Sequence, residues 1–138
     1  ARDPYVRATA IEIIKRKRIP ANDHLGEMKA LFEAVRDGIR YTRDPINIEL
    51  LQTPRQTLKD RVGDCDDKST LLASMLTSIG HPAALQYRVI GTKPGAGYSH
   101  VYVVAKLNGK EIAMDPTPTT AALGWQYPTP TMTKDFAL

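Results

Sequence analysis

The sequence predicts an α+β domain in which N-terminal helices pack on an antiparallel β-sheet. Apolar residues recur at helical spacing as far as Ile79, and beyond Pro82 they alternate with polar residues, as in half-buried strands. The chain of 138 residues has the length of one domain, and its 42% apolar and 25% charged residues exclude wholesale disorder.

Four helices are predicted in the first half of the chain, over residues 3–19, 23–39, 53–58 and 65–79. Asp3 and Thr53 can each cap an N-terminus, the second helix begins at about Asn22 or Asp23, and Gly80 fits the position just past the end of the fourth helix. Residues 41–47 are expected to form an irregular link, because the proline after Asp44 disfavours helix.

Three strands are predicted next, over residues 83–90, 99–107 and 110–115. A glycine-rich loop over residues 91–97 joins the first two, and it either gates a cleft or is simply mobile. The 23 residues after Asp115 contain four prolines and six threonines and show no period. They predict an extended wrap or tail, anchored by Trp125 and Tyr127. We therefore expect a single domain over residues 1–117 and a Pro/Thr-rich C-terminal extension over residues 118–138.

Asn108 and Gly109 stand between two alternating runs and predict a hairpin with a two-residue type I′ turn. In that register Leu107 pairs with Lys110, and every pairing further along both strands follows. One face of the hairpin is then wholly apolar and must face the core: it carries Val101, Val103, Ala105, Leu107, Ile112 and Met114.

The opposite face of the hairpin places a histidine beside an aspartate. Asp115 lies opposite Tyr102, so His100 is its diagonal neighbour, with Cβ atoms roughly 7–8 Å apart. An imidazole and a carboxylate can bridge that gap with a hydrogen bond. An exposed polar face with chance neighbours is the alternative interpretation.

The single cysteine excludes an internal disulfide and a zinc site built from cysteines alone. Cys65 begins a strongly patterned helix, where unpaired N–H groups and the helix dipole favour a thiolate and can stabilise a developing oxyanion. The flanking aspartates suit capping roles but oppose a thiolate, so a cationic partner such as protonated His100 is required. These aspartates are Asp64, Asp66 and Asp67. A small buried cysteine with an acidic cap is the alternative.

Cys65, His100 and Asp115 together have the chemistry of a nucleophile, a base and a residue that orients the base. Attack on an amide would give a thioester, which water resolves in a peptidase, amidase or deamidase and a lysine amine resolves in a cross-linking enzyme. With no second thiol in the chain, acyl transfer is expected rather than disulfide exchange.

At these residues the chain resembles the transglutaminase-like superfamily of the papain-like cysteine-enzyme fold, over about Leu25 to Thr117. Four segments carry the resemblance: Thr57 to Asp67, Leu71-Leu72 with Gly80-His81-Pro82-Ala83, Ser99-His100-Val101 and Met114-Asp115-Pro116-Thr117. The resemblance implies a papain-like core with the nucleophile, Cys65, at the N-terminus of a central helix, His100 as general base and acid, and Asp115 as the orienting residue.

The chain departs from the family before Asp115, where a tryptophan is common and Ile112 and Ala113 stand here. Spacing does not identify the side chain that completes the oxyanion hole. Gln52 and Tyr41 are the upstream candidates, and each is also explained as an ordinary polar loop residue.

We expect a cysteine peptidase or amidase that acts on a peptide or protein. Hydrolysis is favoured because the chain is small and lacks the accessory domains of large cross-linking enzymes. No cofactor is expected. A protein-glutamine γ-glutamyltransferase uses the same residues and is the first alternative. A non-catalytic assembly or binding module that kept the fold is the second.

Other features are explained without function. The net charge of +4 is too small to indicate nucleic acid by itself, and the basic run Lys15 to Arg18 suits a helix C-terminus. A contact of this run with nucleic acid or another anionic polymer is the less favoured alternative. No apolar run reaches eighteen residues and no signal-peptide pattern is present, so a soluble chain is expected, of open compartment and oligomeric state.

No metal is expected. A site built from the three aspartates around Cys65 and from His100 is conceivable, but the acids lack the spacing of a calcium loop. The other two histidines, His24 and His81, are most simply surface or turn residues.

Overall fold

The computed structural model describes residues 3–42, 53–95 and 97–138, and it has the predicted α+β fold. The helices are α1 (Pro4–Arg16), α2 (His24–Gly38), α3 (Pro54–Asp60) and α4 (Cys65–Ser78). The strands are β1 (Arg40–Tyr41), β2 (Val62–Gly63), β3 (Ala84–Gly91), β4 (His100–Leu107), β5 (Lys110–Met114) and β6 (Met132–Ala137). Gln52 and most of the predicted link over 41–47 lie outside the described residues.

A side-chain oxygen caps the N-terminus of each of these four helices, which confirms the caps predicted at Asp3 and Thr53 and selects Asp23 over Asn22 at the start of α2. Asp3 accepts from the N–H of Tyr5, Asp23 from Gly26 and Thr53 from Gln56. The first helix ends at Arg16, three residues before the predicted end, because Arg18 adopts a left-handed conformation with φ of 54°.

Helix α4 lies at the centre of the fold, in contact with α1, α2, α3 and β4. Its apolar side chains have essentially no exposed surface: Leu71, Leu72, Met75 and Leu76. They pack on Phe32 of α2, Val6 of α1 and Val103 of β4 in one continuous core. Because α4 carries this much buried apolar surface, its first residue is held firmly in place.

The larger sheet has the strand order β5-β4-β3-β6, and all of its pairs are antiparallel. The predicted hairpin register is confirmed, with Leu107 paired to Lys110 and Lys106 to Glu111. Asn108 and Gly109 have φ angles of 53° and 78°, as a type I′ turn requires.

The second face of this sheet is not an exposed polar face, so that alternative is wrong. Ile90, Tyr102, Val104 and Ala113 form a second buried cluster, and Tyr127 from the C-terminal extension packs against it. The extension therefore covers the face of the sheet on which His100 was predicted to lie.

Two strand pairings were not predicted. Residues 132–137 form β6 on the edge of β3, where the sequence predicted an extended tail. All six residues of this strand are exposed, so apolar and polar residues do not alternate there. The short parallel pair β1–β2 joins Arg40 to Val62 and Tyr41 to Gly63. The division into a domain and an extension stays a prediction, but the extension supplies a strand to the main sheet.

In the described part of the chain, none of the helices has the length and apolar character needed to cross a membrane.

Candidate active site

Cys65 is the first residue of α4 and is half-buried. A capping box fixes this end of the helix: the Asp64 carboxylate accepts from the N–H of Asp67 at 2.9 Å, and the Asp67 carboxylate accepts from the N–H of Asp64 at 3.2 Å. Of the three aspartates predicted to cap this helix, Asp64 and Asp67 are confirmed in that role. The thiol therefore projects from a helix start whose backbone is held on both sides.

Strands β1 and β2 bring Tyr41 to the entrance of this helix. Tyr41 pairs with Gly63, and the N–H of Thr42 donates to the carbonyl of Gly63 at 3.0 Å. Tyr41 is 42% exposed. The other sequence candidate for the oxyanion hole, Gln52, falls outside the described residues.

His100 begins β4, and Asp115 follows the end of β5, so the hairpin brings them together. Nε2 of His100 lies 2.6 Å from Oδ2 of Asp115. The Asp115 side chain has no exposed surface and the His100 side chain is 9% exposed. The other carboxylate oxygen of Asp115 accepts from the N–H of Thr117 at 3.2 Å, which fixes the carboxylate plane.

The neighbours of His100 favour its protonated form. Burial lowers the pKa of His100, but hydrogen bonds to Asp115 and Cys65 and the charges of both groups outweigh it and raise the pKa from 6.5 to about 9. Because Nε2 faces Asp115, Nδ1 is the nitrogen left for the thiol. A thiol, an imidazole and a carboxylate in this order can form a thiolate–imidazolium pair.

Ser69 connects the two elements that carry the thiol and the imidazole. Its hydroxyl donates to the carbonyl of Val101 at 3.2 Å, and Ser69 has no exposed surface. Ser69 lies one turn after Cys65, and Val101 directly follows His100. Sequence analysis did not identify this contact, because it joins positions 32 residues apart.

Lys68 is a buried cation beneath the site that sequence analysis also missed. It is 1% exposed, and its Nζ donates to the carbonyl of Arg36 at 3.3 Å. Burial lowers the pKa of Lys68, while the charges of Asp115 and Asp37 act in the opposite direction. Its place on the apolar stripe of α4, three residues before Leu71, was the signal for its burial.

Aromatic side chains surround His100. The Tyr127 ring lies edge-on to it with centroids 5.1 Å apart, and the Tyr102 ring lies at 5.9 Å. The Trp125 ring lies 5.1 Å from that of Tyr127 and is 38% exposed. Sequence analysis predicted Trp125 and Tyr127 as anchors of the extension but did not place them at the histidine.

Among the described residues, His24, Glu27 and His81 form a cluster whose ligand atoms lie within 4.8 Å of one another, close enough to hold a metal ion. The His81 side chain is fully buried, so it is a turn residue but not a surface one. Its Nδ1 accepts from the N–H of Ala83 at 3.1 Å, so Nε2 carries the proton and donates to the carbonyl of His24 at 2.8 Å. His81 therefore has no free lone pair for a metal, and the cluster fits a hydrogen-bond network.

Comparisons with known proteins bear on the family and the fold of the chain. The family model described as the transglutaminase-like superfamily matches residues 9–116. Among curated proteins, no sequence matches the chain.

Three solved structures have a similar fold. A candidate protease from Parabacteroides distasonis is 14% identical, with a TM-score of 0.63 over 83% of this chain and 23% of that one. A candidate cysteine protease from Cytophaga hutchinsonii is 14% identical, with a TM-score of 0.62 over 97% of this chain and 44% of that one. LapG of Legionella pneumophila is 16% identical, with a TM-score of 0.52 over 93% of this chain and 87% of that one. The chain thus spans less than half of the first two proteins.

Proposed function

We propose that this chain, which belongs to the transglutaminase-like superfamily, is a cysteine-dependent enzyme that hydrolyses amide bonds of a peptide or protein through a thioester. One observation carries the proposal. Nε2 of His100 lies 2.6 Å from the buried carboxylate of Asp115, and the Cys65 thiol at the start of α4 lies close enough to His100 to raise its pKa together with Asp115.

The proposed reaction begins with the thiolate of Cys65 and the imidazolium of His100. The sulfur attacks the carbonyl carbon of the amide, and the C–N bond breaks as His100 gives its proton to the leaving nitrogen. A thioester to Cys65 remains. Water then attacks the thioester while neutral His100 takes its proton, and the carboxylic acid leaves as the thiolate re-forms. Atoms and charge balance over the cycle, and no cofactor enters it.

Asp115 is proposed to orient His100 throughout this cycle. A hydrogen bond from Nε2–H to its carboxylate directs Nδ1 toward the sulfur and stabilises the imidazolium. Negative charge on the carbonyl oxygen is proposed to be met by backbone N–H groups in the first turn of α4, where the helix dipole also favours an anion. Tyr41, beside Gly63, is our proposed side-chain donor.

Hydrolysis is favoured over transfer to an amine because two of the structural neighbours are named as candidate proteases. Transfer to a lysine amine would use the same three residues and differs only in what attacks the thioester. A non-catalytic module of the same fold would not require the buried His100–Asp115 hydrogen bond.

The experiment is a mass-spectrometric screen of peptide, protein and cell-wall substrates, with and without added amine. Wild type is compared with Cys65→Ala and with Ser74→Ala, a neutral control at another position on α4. New carboxylates that depend on Cys65 support hydrolysis, and amine adducts that depend on Cys65 indicate transfer.

The thiol is also labelled with iodoacetamide at pH 6, where an ordinary thiol reacts slowly. Stoichiometric labelling of Cys65 that is lost in His100→Ala supports the thiolate–imidazolium pair. Labelling as slow as that of a free thiol would overturn the proposed mechanism and favour the non-catalytic module.

A further inference from the structure

Residues 124–131, which we call the strap, run across the face of the sheet that carries His100. At one end the N–H of Gly124 donates to the carbonyl of Ala113 on β5 at 2.8 Å. At the other end the N–H of Thr131 donates to the carbonyl of Gly91 on β3 at 2.9 Å. Both ends are thus fixed to the sheet, on either side of β4.

Side chains of the sheet also hydrogen-bond to the middle of the strap. Gln126 accepts a hydrogen bond from the Tyr102 hydroxyl at 3.1 Å and another from Arg88 at 3.4 Å. Beyond the strap, Arg88 makes two hydrogen bonds to Asp135 on β6, at 2.7 and 3.0 Å. These contacts give residue 127 a defined position above β4.

At that position Tyr127 covers His100. The two rings meet edge-to-face, which is a favourable aromatic geometry, and the His100 side chain keeps only 9% of its surface exposed. Burial raises the pKa of Tyr127, and the charges of Asp115 and Cys65 raise it further. Tyr127 therefore lies close enough to Asp115 and Cys65, the two partners of His100, for their charges to raise its pKa.

A hollow of about 330 Å³ lies between the strap and the sheet, large enough for several water molecules. Tyr127 and Tyr102 line it together with Arg88 and Gln126. Since Tyr127 touches His100 and also lines the hollow, its ring separates the imidazole from this space.

We propose that Tyr127 is a positioning residue, whose ring holds the His100 imidazole against Asp115 and keeps water away from their hydrogen bond. The inference rests on the proposed function in that His100 is the histidine that acts on Cys65. The strap is then part of the active site although it lies outside the predicted domain of residues 1–117.

The physical basis is the dielectric around the hydrogen bond. Four groups face His100 from the elements around it: Asp115 after β5, Cys65 on α4, Tyr102 on β4 and Tyr127 in the strap. Asp115 and Cys65 supply the attraction that keeps the imidazole protonated, and water admitted beside them would screen it. Removing the Tyr127 ring also relieves the burial that lowers the pKa, but in the intact site the attractions together outweigh burial. Weakening both effects is therefore expected to bring the pKa of His100 back toward that of an ordinary histidine.

The test follows His100 by NMR, since the chain has only three histidines and His100→Ala assigns the signal. The pKa of His100 is measured in wild type, Tyr127→Phe, Tyr127→Ala and Phe136→Ala. Phe136 is the matched control, because it is an exposed aromatic residue of β6 in the same C-terminal region. The rate of Cys65 alkylation is measured on the same samples across pH 5 to 10.

Tyr127→Phe and Phe136→Ala are expected to match wild type, since neither removes the ring from His100. Tyr127→Ala is expected to lower the pKa of His100 by about one unit or more and to slow alkylation several-fold near pH 8. If Tyr127→Ala does not fold, Tyr127→Leu, which keeps bulk but not a ring, is expected to shift both readouts in the same direction.

A His100 titration that neither Tyr127→Ala nor Tyr127→Leu alters would overturn this inference and leave the proposed function standing. An equal shift in Phe136→Ala would also overturn it, because the effect would then belong to the whole C-terminal region. A wild-type His100 that titrates near 6.5 would contradict the proposed function itself, and the inference with it.

Discussion

Asp115 accepts a hydrogen bond from His100 while it is completely buried, and this relationship determines which proton His100 can use. The 2.6 Å contact involves Nε2, so the proton on Nε2 is held by the carboxylate and Nδ1 is left for the thiol. The N–H of Thr117 occupies the second carboxylate oxygen and prevents the carboxylate from rotating away. The hairpin register brings these residues together, since His100 begins β4 and Asp115 directly follows the neighbouring strand β5.

Asp115→Asn should abolish most of the activity without unfolding the chain. If the amide oxygen keeps its hydrogen bond to Thr117, its NH₂ group faces Nε2 and forces the proton onto Nδ1, the nitrogen that must act as base. We expect kcat/KM to fall by about 10²- to 10⁴-fold and the pKa of His100 to fall toward 6.5. Kinetics and NMR titration measure these effects.

Asp3→Asn is the matched control for that substitution, because Asp3 pairs with Arg55 away from the site. It should leave kcat/KM and the His100 titration unchanged. Equal losses in the two variants would contradict a specific role for Asp115.

The raised pKa of His100 predicts that stability falls as the pH rises. The pKa of His100 is about 9 in the folded chain and has its ordinary value of 6.5 in the unfolded chain. The folded chain therefore binds this proton more tightly than the unfolded chain. The stabilisation is complete below pH 6.5 and is lost between pH 6.5 and 9, by roughly 3 kcal/mol at most. Urea titrations at half-unit steps from pH 6 to 8.5 measure it.

His100→Gln should flatten this dependence over the same pH range. Lys68, whose pKa burial lowers, acts in the opposite direction as the pH rises toward its ordinary pKa of 10.5. A wild-type stability that stays level from pH 6 to 8.5 would contradict the proposed ion pair.

Local features of the sequence predicted the parts of the fold that local interactions determine. The Asn108–Gly109 turn fixes the register of the hairpin by itself, and capping residues mark helix starts by hydrogen bonds within one turn. The proximity of His100 and Asp115 followed from that register.

The cover over the site could not be predicted in this way, because it depends on contacts between distant parts of the chain. Strand β6 has no buried face, and its pairing depends on Arg88 meeting Asp135 from 47 residues away. Tyr127 reaches His100 only because both ends of the strap are fixed to the sheet. Lys68, in contrast, lies on the apolar stripe of α4 and was predictable from helical spacing.

Asp64→Ala should slow the alkylation of Cys65 and also cost stability. Loss of the fixed turn is expected to outweigh the loss of a negative charge that opposes the thiolate. The substitution loses the 2.9 Å cap on the N–H of Asp67, which is expected to cost about 1 kcal/mol and to loosen the turn that holds the thiol. Asp23→Ala is the matched control, since Asp23 caps α2 through the N–H of Gly26. Both variants should lose similar stability in urea, and only Asp64→Ala should slow Cys65 alkylation. Equal alkylation rates would show that the cap acts on stability alone.

Arg88→Met should release the C-terminal strand. Its guanidinium is 13% exposed and pairs with Asp135 on β6 and Glu111 on β5, so one side chain connects three strands. We expect a loss of about 1–2 kcal/mol and faster proteolysis within the strap. Lys134→Met, an exposed substitution on β6, is the matched control, and its stability should stay within about 0.5 kcal/mol of that of wild type. A strap equally resistant to protease in both variants would contradict this role for Arg88.

Gly63→Ala should damage the site by steric conflict alone. A Cβ at Gly63 would lie 2.7 Å from Cβ of Asp67, closer than two carbon atoms can pack, and Asp67 belongs to the capping box beside Cys65. We expect a cost of about 1–3 kcal/mol and slower alkylation of Cys65. Gly38→Ala is the matched control, because the nearest atom to its new Cβ is Nη1 of Arg61 at 3.7 Å and the residue ends α2. That variant should be as stable as wild type or up to about 1 kcal/mol more stable. Urea unfolding and alkylation rates distinguish them, and a Gly63→Ala variant with wild-type values for both would mean that the start of α4 adjusts without moving the thiol.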